Sequence, residues 1–293
     1  MRAGINLLLW TPHVTEAHRP ILEQIRKIGY DGVEIPIHQG DPADYAQLGR
    51  LIHTLGLLCT ASTAFPDEAH NPSSPDPAHR RNAVSYLCWA IDCCAALGAR
   101  ILAGPLYQAL GIFSGQAPTD EERQWAAQVL LQAADHAASR DVTLALEPLN
   151  RFEAHLLNTV EDAATFVRSL GHPNIKLMFD TFHANIEERD PVGCLTSVID
   201  VLVHVHVSEN DRGVPGWGHV PFKETLGLLR HLGYDGWITV EAFGKGLPEL
   251  AAATRVWRSL YDSETTVLVN GLRVIREGWN ASGGTPRSLS GKR

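Results

Sequence analysis

Glu147, Asp180, His206 and Glu241 are the residues of this sequence whose types and spacing could do chemistry. Each stands near the C-terminal end of a short apolar run, and they lie 33, 26 and 35 residues apart. Within the runs the residues alternate. Leu144 and Leu146 oppose Thr143, Ala145 and Glu147; Ile175, Leu177 and Phe179 oppose Lys176, Met178 and Asp180. Val203, Val205 and Val207 oppose His204, His206 and Ser208; Ile238, Val240 and Ala242 oppose Thr239, Glu241 and Phe243. A strand points successive side chains to opposite faces. Each run therefore has one apolar face and one small or polar face carrying an ionisable group near its end. Three carboxylates and an imidazole drawn together in a low dielectric would push the carboxyl pKa values upward. A divalent cation removes the conflict. Three oxygen donors with one imidazole and no thiolate suit Mn²⁺, or else Co²⁺ or Mg²⁺. A lone inward histidine is more often a hydrogen-bonded core residue, and a lone strand-end glutamate a solvated charge. Four such groups on consecutive runs with matching parity favour the metal site. His204, one layer deeper than His206, is expected in the core or in support of its neighbours.

The elements that must position these groups recur along the chain. Eight apolar runs read as strands: 4–10, 32–37, 57–63, 100–106, 142–149, 175–182, 201–209 and 237–243. Stretches of helical period or composition separate them, several ending at a glycine such as Gly29, Gly56, Gly98, Gly171 or Gly233. LPELAAATRVWRSLY (247–261) reads as the eighth helix and NGLRVIREGW (270–279) as an additional one. Strands that each hand over to a helix make a parallel sheet. The reading is α/β: a single-domain (β/α)₈ TIM barrel over 1–279, with an additional C-terminal helix and a flexible, disordered tail at 280–293. A doubly wound open sheet is the alternative, but TPHVTEAHRP after the first run has no glycine-rich phosphate loop. Ligands of such barrels bind at the C-terminal ends of the strands, so the four groups should share one mouth. The segment 66–80 is expected to be a loop and part of a lid.

Composition narrows the partners. A net charge of −8 argues against nucleic acid or an anionic membrane as the main partner. No apolar run is long enough for a membrane span, and the first residues lack the pattern of a signal peptide. The five cysteines include no C-x-x-C pair, which fits a reducing cytoplasm. Cys88, Cys93 and Cys94 are expected in the core. Asn280-Ala281-Ser282 matches a glycosylation sequon, read as chance without a secretory signal.

Four stretches, LEPLNRFEAHLLNT (146–159), FDTFHANIEE (179–188), HVHVSENDRGVPGWG (204–218) and ITVEAF (238–243), resemble the ketose 3-epimerases. These are the D-tagatose, D-allulose (D-psicose) and L-ribulose 3-epimerase group of the xylose-isomerase-like TIM barrels. The resemblance is clear from about residue 140 to 260. It implies that Glu147, Asp180, His206 and Glu241 are metal ligands and that Glu147 and Glu241 are also the catalytic acid/base pair. It places Glu153, His183 and Arg212 around C1–C3 of a ketose and Trp10 in an aromatic wall. The implied reaction inverts C3 of a free ketose. One glutamate removes the C3 proton from a cation-polarised sugar, and the other returns a proton to the opposite face of a cis-enediolate. A salt bridge to Asp211 or Glu209 is the alternative role for Arg212, and Glu187 and Glu188 are read as structural. The loop 104–113 departs from relatives that carry a tryptophan there, and Leu110 is read in its place. A homodimer or homotetramer is expected. The alternatives on the same barrel are a metal-dependent sugar isomerase or dehydratase, such as hydroxypyruvate isomerase or inosose dehydratase, and a sugar-phosphate epimerase. A multi-metal endonuclease would need more histidine ligands and a basic face, and a non-catalytic sugar-binding protein would need no acid/base pair.

Overall fold

The computed structural model describes residues 1–281. The strands are β1 (Arg2–Ile5), β2 (Gly32–Pro36), β3 (Leu58–Ser62), β4 (Ile101–Gly104), β5 (Thr143–Leu146), β6 (Ile175–Asp180), β7 (Leu202–Val207) and β8 (Trp237–Val240). The helices are α1 (Arg19–Ile28), α2 (Pro42–Thr54), α3 (Pro77–Leu97), α4 (Asp120–Ser139), α5 (Val160–Leu170), α6 (Thr181–Glu187), α7 (Phe222–His231), α8 (Pro248–Thr254) and α9 (Glu264–Asn280). The eight strands pair in parallel in the order β1-β8-β7-β6-β5-β4-β3-β2, and a single bridge between Asn6 and Glu34 joins the two ends. The expected barrel is therefore present and nearly closed.

Local chemistry sets the boundaries. Side chains of Asp41, Asp76, Thr119 and Thr159 accept hydrogen bonds from the first-turn amides of α2, α3, α4 and α5. Gly29, Gly98 and Gly171 end α1, α3 and α5 in the left-handed conformation. The outward face of the strands is apolar: Val33, Ile35, Leu102, Leu144, Leu146, Leu177, Phe179, Val205, Val207, Ile238 and Val240 pack against the helices, each 1% exposed or less. At about 25 cal/mol per Å² of apolar surface removed from water, this shell is the main stabilising layer. Inside the barrel Ala103, Ala145 and Met178 form a small separate apolar cluster. Gly104 ends β4 at φ 137°, where an added Cβ would fall on the carbonyl of Thr63, so the close approach requires glycine.

Several expectations need correction. The first run, read over 4–10, forms a strand only at Arg2–Ile5; Asn6 then caps a 3₁₀ turn at Leu7–Leu9 by accepting the Leu8 amide. The stretch 247–261 is helical only at Pro248–Thr254 and lines the barrel mouth. It is α9 that packs on α1 and α7 and completes the helical ring. The physical reason lies in the apolar periodicity of α9, which buries Val267, Leu268, Leu272 and Ile275, whereas α8 buries Ala251 alone. Cys93 and Cys94 are buried, but Cys88 is only partly so. The segment 66–80 holds a 3₁₀ turn at Glu68–His70, and Pro77 already opens α3. The tail expected at 280–293 lies outside the described residues from 282 onward; Asn280 is the last residue of α9.

Candidate active site

Glu147 directly follows β5, Asp180 ends β6, His206 lies in β7 and Glu241 directly follows β8. All four are buried, and each offers one ligand-type atom within 4.8 Å of the others. The parity read from the sequence thus brings them together. A bulge between β6 and β7 at Leu177/Met178 sets the level: it pairs Asp180 with His206. Asp180 works in two directions. Its Oδ1 accepts the amides of Phe182 (2.6 Å) and His183 (3.4 Å), capping α6, while Oδ2 faces His206 Nδ1 at 3.7 Å. His206 Nε2 lies 2.7 Å from Glu34 Oε1, which turns Nδ1 toward Glu241 Oε1 at 3.3 Å. That Nδ1 is buried and has no hydrogen-bond partner. An imidazole nitrogen left unpartnered among three carboxylates is what a divalent cation site with an O₃N donor set presents, so these residues fit such an ion.

The charges are strongly perturbed. Burial and the neighbouring Glu241 and Asp180 push the Glu147 carboxyl well above its ordinary range. Burial acts the same way on Asp180, but Arg212, His206 and His183 outweigh it and hold this carboxyl below its usual value. Burial pulls His206 down, yet Glu34, Glu241 and Asp180 prevail and raise it well above an ordinary histidine.

Arg212 enters from the loop after β7. Glu209 builds this loop, its carboxylate accepting the amides of Asn210 (3.0 Å), Gly216 (2.8 Å) and Val220 (3.1 Å). Arg212 itself sits in the left-handed region at φ 66°, which costs roughly 1–3 kcal/mol for a non-glycine residue. Its Nη1 donates to Glu241 Oε2 (2.7 Å), Asp180 Oδ2 (3.2 Å) and Ser208 Oγ (3.1 Å), and the guanidinium stacks 3.8 Å from the centre of the Phe182 ring. The alternative of a loop salt bridge is thus overturned. Glu209 is taken up by backbone amides, and Asp211 accepts from Gly213 N and Arg258. His183 Nδ1 accepts the Asn150 amide at 3.0 Å, and burial together with Arg212 holds the ring below its ordinary pKa. The neutral ring then carries its proton on Nε2, 3.6 Å from Glu147 Oε1 and 2.9 Å from Arg212 Nη2. Arginine only donates, so this Nε2–H is set to give its hydrogen bond to an oxygen entering between them.

These groups floor a cavity of about 740 Å³ at the mouth, within the usual range for a small-molecule site. Glu153, His183 and Arg212 line it, with Glu153 accepting from Asn150 Nδ2 at 2.9 Å. The rest of the lining is mostly apolar, including Pro12, Pro66, Leu110, Leu247 and Leu250, with His38, Glu249 and Thr254 among its polar members. Trp10 is on the same segment as Leu8 and Pro12 but is partly buried against the core and is not a lining residue. Glu187 pairs with Arg151 and Glu188 accepts the Val160 amide, both structural. Sequence reasoning missed Asn6, Glu34 and Thr60, which lie behind the site. A glutamate inside the apolar run GVEIPI was the available signal.

Residues 22–262 match the family model described as xylose isomerase-like TIM barrel. The ketose 3-epimerase of Arthrobacter globiformis is 32% identical, over 89% of this chain and 91% of that protein. The D-psicose 3-epimerase of Agrobacterium fabrum is 31% identical, over 89% and 91%. The crystal structure of D-allulose 3-epimerase from Methylomonas sp. in complex with D-allulose superposes with a TM-score of 0.87 at 30% identity, covering 94% of this chain and 96% of that one. The chain belongs to the xylose isomerase-like TIM barrel family, in its ketose 3-epimerase group of carbohydrate-isomerising enzymes.

Proposed function

We propose that this protein is a metal-dependent ketose 3-epimerase acting on free ketoses of the D-tagatose, D-fructose, D-allulose or L-ribulose type. The observation that carries it is the row Glu147–Asp180–His206–Glu241, with its unpartnered Nδ1 and a glutamate at either end. A divalent cation, Mn²⁺ or else Co²⁺ or Mg²⁺, held by these four residues would supply Lewis-acid polarisation of the sugar carbonyl, making the C3 proton acidic.

The side chains do the rest. Glu147 and Glu241 come from strands three apart and flank the row, so a C3 carbon between them has a carboxyl group on each face. One removes the proton and the other returns one, which inverts the centre; each transfer contributes roughly 10²–10⁴-fold. Arg212 and the His183 Nε2–H donate to the oxygens of the enediolate as charge develops on them. Glu153 accepts from a hydroxyl at the C1 end. Among the residues lining the cavity Arg212 is the one permanent cation, against Glu147, Glu153, Glu241 and Glu249, which favours a neutral sugar over a phosphorylated one.

Exposed Phe113, Phe152, Trp217 and Trp257, all on loops of the mouth side, favour association into a homodimer or homotetramer, and sedimentation measures it. The five unpaired cysteines favour a reducing cytoplasm. Among the described residues no helix is long and apolar enough to cross a membrane.

The test is ¹H NMR of D-fructose, D-tagatose and D-ribulose in D₂O with Mn²⁺-loaded protein. Deuterium at C3 of an epimerised ketose is expected. Exchange at C1 would reassign the protein to aldose–ketose isomerisation, and no exchange across the panel would overturn the reading.

A further inference from the structure

We propose that Glu34, from the first half of the barrel, is a positioning residue for the cation site: it fixes the proton of His206 on Nε2 and so aims the Nδ1 lone pair into the row of carboxylates. The inference rests on reading that row as a cation site.

The geometry is specific. Glu34 is fully buried. Its Oε1 accepts from His206 Nε2 at 2.7 Å and from Asn6 Nδ2 at 2.9 Å; its Oε2 accepts from Thr60 Oγ1 at 2.9 Å. His204 brings Nε2 to 2.7 Å from the same Oε2, off the line a hydrogen bond needs. A carboxylate has no proton to give, so every partner must present a donor. For His206 the donor can only be Nε2–H. One ring nitrogen of a neutral imidazole being a donor, the other is a lone pair, and that is Nδ1, the unpartnered atom facing Asp180 and Glu241. A carboxylate behind a ligating imidazole orients the ring and raises its basicity.

Glu34 is itself held from several sides. Thr60 sits beside it in the register of β2 and β3, and Asn6 meets it at the bridge that joins β1 to β2. Asn6 Nδ2 also lies 3.3 Å from Glu241 Oε1. The seam of the barrel and the support of the site are thus the same contacts, so closing the barrel sets the ring. Glu34, His204 and His206 could alternatively be read as a second cation site. The 2.7 Å contact between His206 Nε2 and Glu34 Oε1 is instead the length of a charge-assisted hydrogen bond, and it occupies the nitrogen such a site would need.

The test is Mn²⁺ titration of metal-free protein, reading free Mn²⁺ by electron paramagnetic resonance, for wild type and Glu34→Gln. Glutamine keeps the shape and removes the charge. The expected result is one Mn²⁺ per wild-type chain, with affinity about 10–100-fold weaker in the variant. Long-range ¹H–¹⁵N spectra of histidine-labelled, Mg²⁺-loaded wild type should show His206 in its Nε2–H form, and an Nδ1–H form would overturn the inference. Should Glu34→Gln not fold, Thr60→Val removes one donor to the same carboxylate and should weaken Mn²⁺ several-fold. A folded variant that binds Mn²⁺ as tightly as wild type overturns this inference alone, as do two Mn²⁺ per wild-type chain. A wild type that takes up no Mn²⁺ overturns the cation site itself, before any variant is compared.

Discussion

β5 to β8 end in Glu147, Asp180, His206 and Glu241, whereas the inward groups of the first three strands and their ends are Asn6, Glu34 and Thr60. Both halves bury polar groups, but they satisfy them differently. Asn6 and Thr60 both donate hydrogen bonds to the Glu34 carboxylate. The row in the second half holds too many like charges and an unpartnered imidazole nitrogen, and it counts on an ion or on Arg212 for balance. A satisfied polar layer is rigid, and an unsatisfied one stores the capacity to bind. The first half is therefore the support and the second half the site.

The sharpest way to break this division is at the ends of the row. Glu147→Gln and Glu241→Gln should each lower kcat by about 10²–10⁴-fold or more while the sugar still binds, measured by C3 exchange and by calorimetric titration of the ketose. Retained turnover in either variant would remove that glutamate from the acid/base pair. Next in size is Arg212→Lys. It keeps the charge but loses the planar fork and the stack on Phe182, so kcat/KM should fall roughly 10²-fold. A change below threefold would mean that the arginine serves only as a counter-charge.

The pH dependence comes third. Glu147 and His206 are both raised, so the cation-free protein holds protons there that a cation must displace. Apparent Mn²⁺ affinity should climb up to about tenfold per pH unit for each proton released, and uptake should acidify a weakly buffered solution. The stability of the cation-free fold runs the other way. A group whose folded value is raised stabilises below its unfolded value and loses that contribution as pH rises through the folded one. Melting without metal should therefore fall as pH rises above the ordinary carboxylate range, and saturating Mn²⁺ should reverse the trend. A flat affinity between about pH 6 and 8 would contradict the charge pattern. The smallest effect belongs to the outer cavity: Leu110→Ala should change selectivity among C4–C6 stereoisomers by a few-fold, read as kcat/KM ratios, with C3 chemistry intact.

Much of the site was legible because strand parity is strict. A side chain two residues along returns to the same face, so His204 and His206 had to share a face. The resemblance around N-R-F-E and D-T-F-H supplied Glu153 and His183, which parity could not reach because they lie on irregular or helical backbone. The same resemblance pointed to Trp10, and the structure puts Leu8 and Pro12 in the lining instead. The eighth helix was misplaced because both 247–261 and 264–280 are helical in composition; only packing distinguishes the helix in the ring from the one over the mouth.

By itself the sequence determined the eight strands and their alternation with helices, the faces of the last four strands and the identity of the four ionisable groups at their ends. These follow from local rules: alternation, helix period and capping. Tertiary structure decided the rest. The bulge that levels His206 with Asp180, the seam that brings Asn6 to Glu34, and the loop geometry that carries Arg212 back over Glu241 all join residues distant in the chain. No local pattern encodes such contacts, because they exist only once the barrel has closed.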